Sequence, residues 1–168
     1  SATSRAAFDL TTTVDASGNP LVAWSELGGA SGQIFVRANI DDDAFTGTVH
    51  IADAGRRVTV QSLLDQFDLG PGDAILVRGV HTTGFAVTAS DSGVAILGAP
   101  ESSVASATID GAAGVILERL SIDGALVVRN SSDISLVENA INGGATLATS
   151  QAVTFAHNLI SGDNALTL

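Results

Sequence analysis

The chain has 168 residues, a formal net charge of −11 and no cysteine, and all seven of its basic residues are arginine. This excludes disulfides and thiolate chemistry, and it disfavours nucleic acid and anionic membranes, both of which need a cationic patch. The composition is 45% hydrophobic but only 4% aromatic, with 18 glycines, which favours many short strands and tight turns around a Val, Ile, Leu and Ala interior.

The chain opens at Ser1 and reads as a mature or excised piece, with no targeting segment. No apolar run reaches the roughly 18–20 residues that a membrane helix needs. Residues 14–39 read as two strands around a glycine-rich turn, preceded by a tight turn at Asp15, Gly18, Asn19 and Pro20. The pattern D-x-x-G-N-P-x-V-A-W ending at Trp24 resembles a single repeat of a bacterial propeller-type sequence. One such unit cannot close a propeller, so the resemblance implies a hairpin packed on the rest of the chain or paired with another chain. Asp41, Asp42 and Asp43 follow. They read as a solvated acidic link, with calcium binding through carboxylate oxygens as the alternative. Arg56 and Arg57 are too few for a basic patch. Residues 1–57 are therefore expected to form an N-terminal hairpin segment and link, and residues 58–168 the main domain.

The stretch 59–70 is the one good helix. Thr59 is placed to cap it, Gly70 and Pro71 to stop it, and Val60, Leu63, Leu64 and Phe67 share its apolar face. The strand AILVRG (74–79) follows and starts the coils. GVAIL (93–97) and GVILE (114–118) match at a spacing of 21, and 98–106 (GAPESSVAS) reads as a longer loop.

From there the period is 19. Ile122, Ile141 and Ile160 keep this step, and Gly124, Gly143 and Gly162 follow two residues behind each. Val115, Ile134 and Val153 form a column, as do Leu117, Leu136 and Phe155, and Val128, Leu147 and Leu166. Asn139 and Asn158 repeat together, as do Ser131 and Ser150. Period-2 alternation within each repeat marks half-buried strands. Nineteen residues are too few for a strand–helix–strand unit, which needs about 30, but they fit one coil of a solenoid with three strands and three turns. In such a stack the asparagines form an amide ladder, each satisfying its neighbour. The helix at 59–70, with Leu63 and Phe67 on its inner face, is expected to cover the open N-terminal end.

The run 60–111 with the later coils resembles the right-handed parallel β-helix of the pectate-lyase-like superfamily, in the form found in large bacterial secreted or surface proteins. The residues that carry the likeness are the capping helix, Pro71-Gly72-Asp73 before a strand, Gly79 after it, Gly93-Val94-Ala95-Ile96 and Ile109-Asp110-Gly111. The expected fold is all-β: a right-handed parallel β-helix of 19-residue coils with an N-terminal capping helix and a preceding hairpin.

That fold hosts lyases, hydrolases, adhesins and spikes, so it does not assign a function. The resemblance implies that an enzyme of this kind would hold calcium with an acidic wall beside an arginine. Asp123 instead aligns with Asn142 and Ser161, and Asp133 with Ala152; with Asp110 and Asp163 they read as solvated turn residues. His50, His81 and His157 lack a hydrolase context, and Glu138 and His157, 19 apart, read as an outward pair. No catalytic centre and no cofactor is expected. The last residues leave a coil part-way round, with Leu166 and Leu168 at an open apolar end, which reads either as the cut end of a longer β-helix or as a face that the next copy covers. The reading is an extracellular or cell-surface structural protein, self-associating through its ends as a fibre subunit. The alternatives are a fragment of a polysaccharide lyase or hydrolase, and an adhesive carbohydrate-binding module using the loop at 98–106.

Overall fold

The computed structural model describes the backbone of strands β1 (Ala7–Val14), β2 (Pro20–Gly28) and β3 (Ser31–Ala38), and the full chain at residues 47–162 and 165–167. The main body is a parallel β-solenoid. Its strands are β4 (Val49–Asp53), β5 (Ala74–Arg78), β6 (Val80–His81), β7 (Phe85–Val87), β8 (Ala95–Gly98), β9 (Ser103–Val104), β10 (Ala107–Asp110), β11 (Ile116–Glu118), β12 (Ser121–Ile122), β13 (Leu126–Arg129), β14 (Ser132–Val137), β15 (Ala140–Ile141), β16 (Ala145–Ala148), β17 (Gln151–Ala156), β18 (Leu159–Ile160) and β19 (Leu166–Thr167).

Three sheets run along the stack. The longest has the order β1-β2-β3-β4-β5-β8-β11-β14-β17; the others are β7-β10-β13-β16-β19 and β6-β9-β12-β15-β18. Pairing is parallel from β4 onward. The register carries the sequence period directly: Ala74 pairs Ala95 and Ala95 pairs Ile116, steps of 21, and then Ile116 pairs Ser135 and Ser135 pairs Thr154, steps of 19. Each coil therefore places like residues on like. The inward columns Val115–Ile134 and Leu117–Leu136 are closed to solvent, as is Ile122–Ile141.

The front of the chain is a three-stranded antiparallel meander, one strand more than the expected hairpin. It joins the solenoid by antiparallel pairing of Gln33 with His50 and Ile34 with Val49. The long parallel sheet begins at β4, ahead of the helix, whereas the sequence pointed to 74–79 as its first strand. VHIAD is short and mixes the polar His50 and Asp53 with its apolar residues, which hides its strand character.

Helix α1 (Val60–Gln66) is capped at Thr59, whose hydroxyl accepts from Ser62 N–H while Ser62 Oγ accepts from Thr59 N–H. It ends earlier than Gly70 because Phe67 is extended and turns its ring to His50. Val60, Leu63 and Leu64 are buried in the core. The helix lies against β4, β5 and β7 and closes the N-terminal end of the stack. Gln61 reaches further: its Oε1 accepts the Ala86 N–H of edge strand β7 at 2.8 Å. Strand edges at a solenoid end need such a cover.

The stretch 98–106 is shorter as a loop than its polar sequence suggests. Ser102 Oγ donates to Ala99 O at 2.6 Å to close a tight turn, and Ser103–Val104 already form β9. At the far end, Leu166 pairs with Ala145 rather than lying beside Leu147, so the last turn is two residues longer than the 19-residue step. A shift of two keeps the inward face, since side chains alternate along a strand. Leu166 is 48% exposed. Among the described residues no helix is long and apolar enough to cross a membrane.

Candidate functional site

Three turn columns recur between the sheets, each built on left-handed residues. Arg119, Glu138 and His157 stack at one turn with φ of 53, 55 and 54°. Gly72, Gly93, Gly114, Asp133 and Ala152 form a second column, and Gly111, Asn130 and Thr149 a third. A single left-handed residue lets the chain turn sharply from one strand into the next. It also aims the side chain outward, and Glu138, His157, Asp133 and Asn130 are all exposed.

Just inside the first column lies the amide ladder. Asn139 Oδ1 accepts from Leu120 N–H at 3.0 Å, and its Nδ2 donates to Leu117 O at 2.9 Å and to Asn158 Oδ1 at 3.0 Å. Asn158 Oδ1 also accepts Asn139 N–H at 2.9 Å, and Asn158 Nδ2 donates to Leu136 O at 2.7 Å. The side chains thus satisfy turn groups that the strands leave unpaired. Ser131 and Ser150 make a smaller version on another turn, with Ser131 N–H donating to Ser150 Oγ at 3.3 Å.

The glycine column is a matter of close approach. A Cβ built on Gly143 would lie 2.4 Å from Gly124 C, and one on Gly124 would lie 2.6 Å from Ala105 O. Gly162 has φ of 121° and stands over Gly143 and Gly144. The isoleucines at 122, 141 and 160 pair in register, Ile160 half-buried in the last described coil.

Among the described residues no three acidic or histidine side chains come together to hold a metal ion. Asp110 is tied to the next coil instead: Arg129 Nη2 lies 2.9 Å from Oδ2, and Asn130 Nδ2 donates to Oδ1 at 3.0 Å. These hydrogen bonds, that from Asn130 foremost, hold the Asp110 carboxyl below the usual carboxylate range. Asp41, Asp42, Asp43, Asp163 and Leu168 lie outside the described residues.

A shallow cleft of about 340 Å³ opens beside the turn at 98–102. Glu101, Arg119 and Glu138 stand around a floor that includes Leu120, Ser121 and Ala140. Arg119 Nη2 is 2.9 Å from Glu118 Oε1. The sequence did not mark this grouping, because Glu101 comes from a coil of different length and breaks the 19-residue register. At the N-terminal end, His50 is 4% exposed and its ring centroid lies 4.2 Å from that of Phe67. Burial pushes its pKa below the ordinary histidine value, with nearby Asp73 opposing.

Compared with protein-family models, curated proteins and solved structures, the chain has no match.

Proposed function

We propose that the chain is a structural solenoid of an extracellular or cell-surface protein, a rod segment of the right-handed pectate-lyase-like kind that associates end to end. The observation that supports this is the face of the last described coil. Val153, Phe155 and Ile160 are only half-buried there, while their column partners Ile134, Leu136 and Ile141 are 0–1% exposed. Leu159 is 69% exposed beside them. β17 and β18 are the outer strands of their sheets, and Asn158 carries the ladder to that surface. The chemistry of this face matches strand-bearing chain, whether a further coil of a longer chain or a second copy: apolar knobs in register and backbone groups ready for strand addition. The opposite end is closed by α1, so two copies would meet through the edge strand β1 of the meander and not coil on coil.

Sedimentation velocity across a wide concentration range, with electron microscopy of the same samples, tests the reading. Growth along the solenoid axis is expected. Phe155→Asp should abolish it, and Val80→Ser, at an exposed site on the other end, should leave it intact. A single sedimenting monomer at every concentration, or growth untouched by Phe155→Asp, overturns end-to-end association. Such a contact propagates into fibres unless the geometry closes a ring.

A second reading rests on the cleft at 98–102, whose paired carboxylates and guanidinium suit a polar saccharide. Titration calorimetry with acidic and neutral oligosaccharides, with and without calcium, is its test. Binding that falls at least about tenfold in Arg119→Ala, about 1.4 kcal/mol, supports a carbohydrate-binding role. Saturating titrations without heat, or binding insensitive to Arg119→Ala, rule the cleft out.

A further inference from the structure

His50 stands where three parts of the molecule meet. On β4 it pairs with Gln33 of the meander and with Ile75 of β5, and its ring packs on Phe67 at the exit of α1. We propose that His50 is an acid-sensitive latch on the N-terminal cap: its neutral ring seats α1 on the solenoid, and protonation favours release of the helix and exposure of the strand edges beneath it.

The surroundings do not offer the imidazolium a strong partner. Among the described residues Asp73 is the one charge close enough to influence it, and Asp73 is already committed: Thr48 N–H donates to its Oδ1 at 2.7 Å and Gly70 N–H to its Oδ2 at 3.0 Å. From α1 and its exit come Asp65 and Asp68, both exposed, with Asp65 accepting from Gln61 Nε2 at 2.8 Å. β4 itself ends in Asp53, which lies 3.9 Å from Arg56. The sole charge in the sequence of β3 is Arg37, four residues beyond Gln33 and so roughly 13 Å along the strand. A proton on His50 is therefore placed in an apolar seat against Phe67, and an unseated cap that wets the ring relieves it.

The direction follows from proton linkage. His50 titrates below its ordinary 6.5 when the cap is seated, so the seated state binds fewer protons than the unseated one. The cap is at full strength above about pH 6.5 and weakens as pH falls from there toward the seated-state pKa. Release breaks the bond between Gln61 Oε1 and Ala86 N–H and bares the edge of β7, which makes this edge open to a partner strand.

Hydrogen exchange read by mass spectrometry at Val60–Gln66 and at Ala86, corrected for intrinsic rates, tests this on the full chain. Protection is expected to fall about fivefold or more between pH 7.5 and 5, a change in the cap equilibrium driven by one proton. His50→Phe keeps the aromatic contact without titrating, and His50→Gln keeps a polar group without titrating; both should flatten the response. His81, also buried at this end with Nε2 3.1 Å from Arg78 O, is the control, and His81→Gln should retain it. Protection independent of pH in the wild type overturns the proposal. So does an acid response that survives in whichever His50 variant folds, or one that disappears with His81→Gln.

Discussion

Replacing Asn139 by alanine is expected to destabilise the solenoid by about 3–4 kcal/mol, since two buried turn groups lose their partner together. Asn139 is 2% exposed, and its amide serves Leu120 N–H, Leu117 O and Asn158 Oδ1 at once. Alanine leaves Leu120 N–H and Leu117 O without their side-chain partner, while Asn158 Oδ1 keeps the backbone N–H of residue 139. Asn139→Leu makes a sharper comparison. Leu120 already occupies the corresponding place one coil earlier and is fully buried, so a leucine suits the column in shape. A loss of similar size in Asn139→Leu would locate the effect in hydrogen bonding; recovery to wild-type stability would locate it in packing. Asn139→Asp should be worse than alanine at neutral pH. A carboxylate can still accept from Leu120 N–H, but its other oxygen would face Leu117 O and Asn158 Oδ1. The buried carboxyl is then favoured in its protonated form, its pKa is raised, and the variant gains stability as pH falls toward the unfolded aspartate value. Asn158→Ala should cost less than Asn139→Ala, because Asn158 is half-exposed and water can take its place. Chemical denaturation followed by circular dichroism at pH 7.5 and 5 checks the series.

The repetitive half of the fold was legible because a solenoid writes its contacts as a sequence period. Ile122, Ile141 and Ile160 are 19 apart since each pairs with the next in a parallel register. The ladder was legible for the same reason. What the period could not reveal were contacts made once. Gln61 capping the Ala86 N–H, Phe67 turning to His50, and Asp73 tying Thr48 to Gly70 each join stretches with no repeat between them. Glu101 stood outside the repeat because its coil is longer than the next, so no column joined it to Arg119 and Glu138. The shift of Leu166 to Ala145 shows the limit from the other side: a turn can lengthen by two residues without moving any side chain to the opposite face, so the alternation alone does not fix the register.

Gly143→Ala is expected to destabilise by about 3 kcal/mol or more, as an overpacked site that cannot relax. The added methyl would stand 2.4 Å from Gly124 C, 2.7 Å from Ala125 N and 2.8 Å from Gly124 Cα. These are backbone atoms of the coil below, so no rotamer change relieves the overlap. The coils would have to part locally, opening the hydrogen bonds that Gly143 N–H donates to Gly124 O and Asn142 N–H to Ile122 O. Two other glycines separate steric from conformational causes. Gly111 has φ of 73° with nothing within 4 Å of an added Cβ, so Gly111→Ala should cost only the left-handed strain of about 1–2 kcal/mol. Gly70 has neither a positive φ nor a neighbour within 4 Å, and Gly70→Ala should be near neutral. Thermal melts of the three variants should therefore rank Gly70→Ala, Gly111→Ala and Gly143→Ala in order of increasing loss. Should Gly143→Ala fall level with Gly111→Ala, the coils can separate at that turn without loss of their neighbours. The glycine column would then act as a flexible seam between coils, and the stack could not serve as a rigid rod.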